Sequence, residues 1–86
     1  STILADEQVI SMDEQVEIVR TPADDLAGRT LGDARVRART GCTVVAVERN
    51  GDVITDVGPD VHIDADDDLV IAGTDESVDR FRVMFN

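Results

Sequence analysis

The residues with the most chemical potential lie between Asp60 and Asp68, where Asp60, His62, Asp64, Asp66 and Asp68 recur at every second position. Carboxylates so spaced are the raw material of a calcium loop. An EF-hand loop needs glycine at its sixth position, for a sharp turn, and a bidentate glutamate at its twelfth. Counted from Asp64, those positions hold Leu69 and Asp75. The pattern therefore reads as a solvated acidic turn, with cation sensing kept as an alternative. His62 is the only histidine and Cys42 the only cysteine. No serine or cysteine is placed to act as its nucleophile partner, and one cysteine with one histidine on separate strands is a poor zinc site. The dinucleotide cradle Gly-x-Gly-x-x-Gly is absent. No enzyme is expected, and no catalytic or metal-binding residue is assigned. Arg35, Arg37 and Arg39 alternate near the end of a helical pattern. They suit an anion, but the preferred reading is complement to the helix dipole plus salt bridges to nearby carboxylates.

Composition narrows the classes further. Eighty-six residues make one domain with a thin core, for which oligomerisation is a common support. No apolar run is long enough to span a bilayer, and Ser1 to Ile10 has neither the basic start nor the apolar core of a signal peptide. The first residue is not Met, so the chain is expected to be excised from something longer. Net charge is -11; all eight basic residues are arginine, and 14 of 19 acidic residues are aspartate. Such a surface resists compaction by self-repulsion, which salt screens. Lys-free, Asp-heavy surfaces resemble those of extreme halophiles, so a halophilic archaeal source is expected. A nucleic-acid partner is disfavoured, since phosphate binding needs basic patches. A lone Cys42 at the start of a buried strand reads as a small hydrophobe in a cytosolic protein.

The elements that would position these residues follow from pattern. Ser1 to Asp13 is acidic and weakly patterned; Ile3, Leu4, Val9, Ile10 and Met12 suit a short helix or an edge strand, and the stretch reads as a linker. Val16 to Arg20 is a first strand, ended by Pro22, and Leu26 anchors the loop that follows. Thr30 caps a helix running to Thr40, with Leu31, Ala34 and Ala38 as its apolar stripe and Val36 off it. Gly41 is its left-handed terminator. Cys42 to Val47 is a buried strand, turned at Asn50-Gly51 in a type I′ hairpin. Alternation puts Val44 and Ala46 on one face, and Thr43, Val45, Val47 and Arg49 on the other. Helices of the chain can cover one face; the second needs a partner subunit or a ligand. Val61-His62-Ile63 reads as a short strand and Leu69 to Ala72 as another. Thr74 caps a last helix that buries Val78, Phe81 and Phe85.

Leu26-x-Gly28-x-Thr30-Leu31, a basic helix, Gly41, the Val44–Val47 strand with Arg49-Asn50-Gly51, Pro59-Asp60, and Asp68 to Gly73 before a closing helix together resemble the TrkA-C domain. This is the C-terminal half of RCK (regulator of potassium conductance) subunits, and the resemblance covers Val16 to Asn86. It implies an α+β domain over residues 15–86, with a small mixed or antiparallel sheet and two helices, after a linker or the tail of a preceding segment over residues 1–14. It implies a non-catalytic, homodimeric, ligand-responsive regulator of a potassium or other cation channel or transporter. Such a domain is cytoplasmic, peripheral to the membrane partner and not inserted. A purely structural dimerisation module is the alternative. The ligand implied is cyclic di-AMP or another small anion across the dimer interface. Its lining would be Val45, Val47, Arg49, Asp56, Val57, Gly58 and Pro59, with Arg49 on a phosphate. Two departures stand out. Asp56, Val57 and Gly58 stand where ligand-binding members tend to offer Asn or His before the proline. Asp67 takes a turn position usually held by Gly, which asks it to adopt a left-handed conformation.

Overall fold

The structure is a computed structural model that describes residues 7–12 and 15–85. Five strands form one antiparallel sheet: β1 (Gln8–Met12), β2 (Glu17–Pro22), β3 (Thr43–Arg49), β4 (Asp52–Ile54) and β5 (Asp68–Gly73). Their order across the sheet is β1-β2-β5-β3-β4. The apolar β5 is central, as its continuous Leu69-Val70-Ile71-Ala72 run requires. Three helices, α1 (Leu31–Ala34), α2 (Val36–Thr40) and α3 (Asp75–Phe85), accompany the sheet. Val19, Val47, Leu69 and Ile71 from the sheet join Leu26, Leu31, Val36, Val78, Phe81 and Phe85 in a single core. Each such side chain contributes roughly 1.5–3 kcal/mol of burial. No helix among the described residues is long and apolar enough to cross a membrane.

Part of the stretch expected to be a linker belongs to the sheet: Gln8–Met12 pairs antiparallel with β2 as an edge strand. Ile3 and Leu4 lie outside the described residues. Val61 to Ile63 is held differently from a sheet strand. It makes one isolated bridge, Thr30 to His62, and is pinned to the loop before α1 by Gly28 N–H to Ile63 O (2.8 Å) and Ile63 N–H to Arg29 O (2.9 Å).

Two local features override the simple periodicities. The first is a bulge in β3. Val44 pairs with Ile71 and Ala46 with Val70, so Val45 is an extra residue. Beyond it the faces exchange. Val47 is fully buried and joins Val44 on the core side, while Val45 stays 45% exposed. The expected grouping of Val45 with Val47 is thereby corrected. The second is a break in the helix expected from Thr30 to Thr40. Thr30 caps it, its hydroxyl accepting from Asp33 N–H at 3.1 Å, but Arg35 lies in the left-handed region at φ 50° and divides α1 from α2. The break re-phases the apolar stripe: Val36 and Thr40 are buried and Ala38 is exposed, the reverse of the uninterrupted pattern. Thr40 then works as an internal cap. Its hydroxyl donates to Val36 O at 2.6 Å and accepts from Cys42 N–H at 3.1 Å.

This re-phasing has a direct consequence for stability. Val36→Ala is expected to cost about 2 kcal/mol by cavity formation, whereas Ala38→Gln should stay within about 0.5 kcal/mol. Urea denaturation of the two variants checks it; equal costs would restore the uninterrupted helix.

Candidate functional site

Arg49 leaves β3 on the core side of the sheet, after the bulge, and its Nε and Nη2 are engaged within the chain. Nε and Nη2 donate to the two carboxylate oxygens of Asp67, each at 2.8 Å, and Nη2 also donates to His62 O at 2.9 Å. Asp64 adds an ion pair at 3.2 Å. Asp67 is 1% exposed and accepts a further bond from Asp64 N–H at 2.8 Å. The guanidinium and this backbone N–H hold its carboxyl below the usual aspartate range, against the opposing effect of burial. Arg49 is shifted upward, first by the hydrogen bond to Asp67. Asp67 has no positive φ, since Arg35 and Asn50 are the only non-glycine residues with one among those described. Its identity in the turn thus serves the clamp on Arg49, not a left-handed conformation.

A larger cavity of about 540 Å³ lies over the acidic turn, lined by Asp24, Asp66, Asp67 and Asp68, but the concave site with an apolar lining and cations that make no salt bridge among the described residues lies elsewhere, at the helix break. A cleft of about 300 Å³ opens between α1, α2, the start of β3 and the loop before Val61. Leu31, Val36, Val44, Val57 and Pro59 give it an apolar lining, and Arg35 and Arg37 stand at it with Thr43. The loop is pressed against α1 by Gly32 N–H to Pro59 O at 3.0 Å. A Cβ on Gly32 would lie 3.0 Å from the Pro59 Cβ, so glycine sets this close approach. Arg37 Nη1 donates to Thr43 Oγ1 at 3.3 Å. Among the described residues, neither Arg35 nor Arg37 makes a salt bridge, while Arg20, Arg49, Arg80 and Arg82 do. Arg39 lies over the Phe85 ring, 5.3 Å from its centroid. The salt bridges expected for these three arginines are therefore not formed among the described residues.

Of the seven positions expected at the ligand, the structure brings Val57 and Pro59 to this cleft. Val45 lies on the bulge, Val47 in the core and Arg49 on Asp67. Asp56 is exposed and Gly58 half-buried, and neither lines the cleft. Sequence reasoning noted Arg35 and Arg37 but missed their placement. Residues i and i+2 of an unbroken helix diverge by about 200°, and only the left-handed turn at Arg35 brings both to one opening. Arginine in that conformation is a departure that sterics disfavour, and such strain gathers at functional sites.

A model of the TrkA-C domain family matches residues 16–86. The Ktr system potassium uptake protein A of Bacillus subtilis is 34% identical over 82 residues, which are 91% of this chain and 37% of that protein. The chain thus spans little more than a third of that relative. The RCK C domain of the potassium transport protein KtrA, solved with cyclic di-AMP, superposes with a TM-score of 0.72 at 28% identity, covering 77% of this chain and 79% of the other. The corresponding domain dimer of S. agalactiae BusR, also with cyclic di-AMP, gives 0.67 at 28% identity, over 93% and 86% of the two chains.

The Arg49–Asp67 clamp can be tested without any ligand. Asp67→Asn is expected to cost about 1–2 kcal/mol at neutral pH, since the buried oxygens lose charge-assisted bonds while water screens the arginine side. Because the Asp67 carboxyl is held below its unfolded value, its contribution is full above the ordinary aspartate range and fades as pH falls through the depressed value. The gap in thermal midpoint between wild type and Asp67→Asn should therefore be widest near neutrality and close in acid. A gap independent of pH would contradict the clamp.

Proposed function

The chain belongs to the TrkA-C family, and on that premise we propose that it is the ligand-responsive, homodimeric regulatory domain of a potassium or related cation channel or uptake system. It works on the cytoplasmic side, peripheral to its membrane partner, and does no chemistry. The cleft at the helix break takes a small dianionic ligand of the cyclic-dinucleotide class, cyclic di-AMP above all. The observation that carries this reading is the pair Arg35 and Arg37, which form no salt bridge among the described residues of a chain of net charge -11 and stand beside an apolar cleft. An un-ion-paired guanidinium is a ready partner for a phosphate oxygen. Leu31, Val44, Val57 and Pro59 offer the apolar surface that a base needs. A cleft of about 300 Å³ suits one nucleotide half. A two-fold ligand across a two-fold dimer would use the same cleft from each protomer. The two cyclic di-AMP complexes of the same fold support this class of ligand.

A ligand can act on the membrane partner only by binding one arrangement of the dimer better than another. The break at Arg35 is suited to that role, because the residue that would touch the phosphate also sets the angle between α1 and α2. A second reading, a structural dimerisation module without ligand, draws support from the exposed apolar residues Ile10, Val45 and Val53 on the sheet and from the engagement of Arg49 within its own protomer. The acidic turn is a weaker candidate for cation sensing, since Asp64 and Asp67 are turned onto Arg49.

Calorimetric titration of cyclic di-AMP in molar potassium chloride separates the readings. Wild type should bind one ligand per dimer. Arg35→Gly keeps the left-handed turn without steric cost and Arg37→Ala removes the second charge; each should weaken binding by roughly tenfold to a hundredfold and leave the dimer intact by light scattering. A dimer that gives no heat would favour the structural module, and undiminished binding by both variants would move the ligand away from this cleft.

A further inference from the structure

β1 is held to the rest of the sheet by little backbone and one buried charge. It is an edge strand that pairs with β2, and its register breaks between Val9 and Ser11. Val9 packs against the core, while Ile10 stays exposed. The anchor lies immediately ahead of the strand. There the buried Glu7 carboxylate meets the buried Arg82 guanidinium of α3. Arg82 donates through Nε to both Glu7 oxygens at 3.1 Å and through Nη2 to one of them. Its Nη1 donates to Asp79 at 2.7 Å. Arg20 Nη1 adds a bond to Gln8 Oε1 at 2.7 Å.

The same end of the strand faces a wall of its own sign. Glu7 and Gln8 line the cavity of about 540 Å³ whose other side is the acidic turn with Asp24. Asp24 and Asp66 are exposed there, and neither makes a salt bridge among the described residues. No arginine lines the cavity. Two successive acids, Asp6 and Glu7, lead into β1 in the sequence. An attraction and a repulsion therefore act on one strand end, and salt treats them differently. A buried ion pair is screened weakly. Carboxylates across an open cavity are screened over the Debye length, about 10 Å at 0.1 M salt and about 3 Å at 1 M.

We propose that β1 is an ionic-strength-sensitive strap: high salt closes it onto Arg82, and low salt lets the Asp24–Asp66 wall push its anchored end away from β2 and α3. Opening bares the edge of β2, a row of backbone groups ready to pair with another strand. It also leaves Arg82 with Asp79 alone on α3. The same helix reaches the cleft, because Ser77 lies against Gly41 at the end of α2, where a Cβ would come 2.6 Å from Ser77 Oγ. A strap that answers to salt suits a cation-uptake system, and that meaning rests on the function proposed above. The opening itself does not.

The test is amide hydrogen exchange of the intact chain, read by NMR from about 0.1 M to about 1 M potassium chloride. The protection of β1 amides is divided by that of β5 amides, which removes the effect of salt on global stability. This ratio should rise roughly tenfold across the range. Asp24→Asn with Asp66→Asn should reach the high-salt ratio already in low salt. Asp52→Asn with Asp56→Asn makes the same charge change at the far edge of the sheet and should keep the wild-type slope. Glu7→Gln should hold the ratio low at every salt concentration. Tetramethylammonium chloride should act as potassium chloride does. A ratio that ignores salt, a far-edge pair that acts like the wall pair, or an effect confined to potassium would each overturn the strap. The wild-type arm stands alone if Glu7→Gln does not fold, and no arm contains a ligand, so the result is independent of the cleft.

Discussion

The structure depends on one extra residue in β3. A strand has a side-chain period of two, so a single insertion exchanges every later side chain between faces. Val45 is that insertion. It lets Val44 and Val47 both serve the core, where strict alternation would send one of them outward. It also turns Arg49 to the core side, within reach of Asp67. The guanidinium then ties β3 to the turn that feeds β5, and β5 is the centre of the sheet. Shape and electrostatics are set together here, since one bulge delivers a hydrophobic side chain to the core and a cation to the only fully buried aspartate among the described residues.

Charge is distributed with the same economy. Net charge is -11, and arginine is the only basic residue type. Arg49 holds the acidic turn, Arg82 holds Glu7 and Asp79, and Arg20 pairs with Glu48 across the sheet at 3.0 Å. The partly exposed Arg20–Glu48 pair contributes little to stability, whereas Arg82–Glu7 and Arg49–Asp67 each satisfy a buried carboxylate that would be costly to leave unpaired. Against that background, two guanidiniums that make no salt bridge among the described residues, beside one apolar cleft, mark the place where the surface invites an anion. The left-handed turn at Arg35 is the structural cost of presenting both together.

Much of this was legible from residue types alone. Asn50-Gly51 gives its hairpin with φ of 53° and 82°, Gly41 ends α2 at φ 85°, Thr30 caps α1, and Leu26, Phe81 and Phe85 are core. These are local signals, in which a backbone conformation demands a residue type. The order and spacing of such signals were also enough to place the family. What escaped was every consequence of a broken period. A bulge has no required residue, and nothing in Val44-Val45-Ala46 announces one. Arg35 is a poor left-handed residue, so its turn is imposed by packing of Val36 and Thr40, which only the tertiary structure supplies. Once those two interruptions are in place, Val45, Val47 and Arg49 leave the candidate site and Arg35, Arg37 and Val44 enter it. Val57 and Pro59 stay in it because the loop that carries them has no period to break.

The central claim is that the binding surface is the cleft at the helix break and not the exposed side of β3. Backbone and side-chain NMR of the chain, titrated with cyclic di-AMP in molar potassium chloride, tests it most directly. The account predicts that resonances of Arg35, Arg37, Val44 and Val57 shift with saturation while those of Val45 and Arg49 stay in place. Shifts centred on Val45 and Arg49, with the cleft silent, would contradict it.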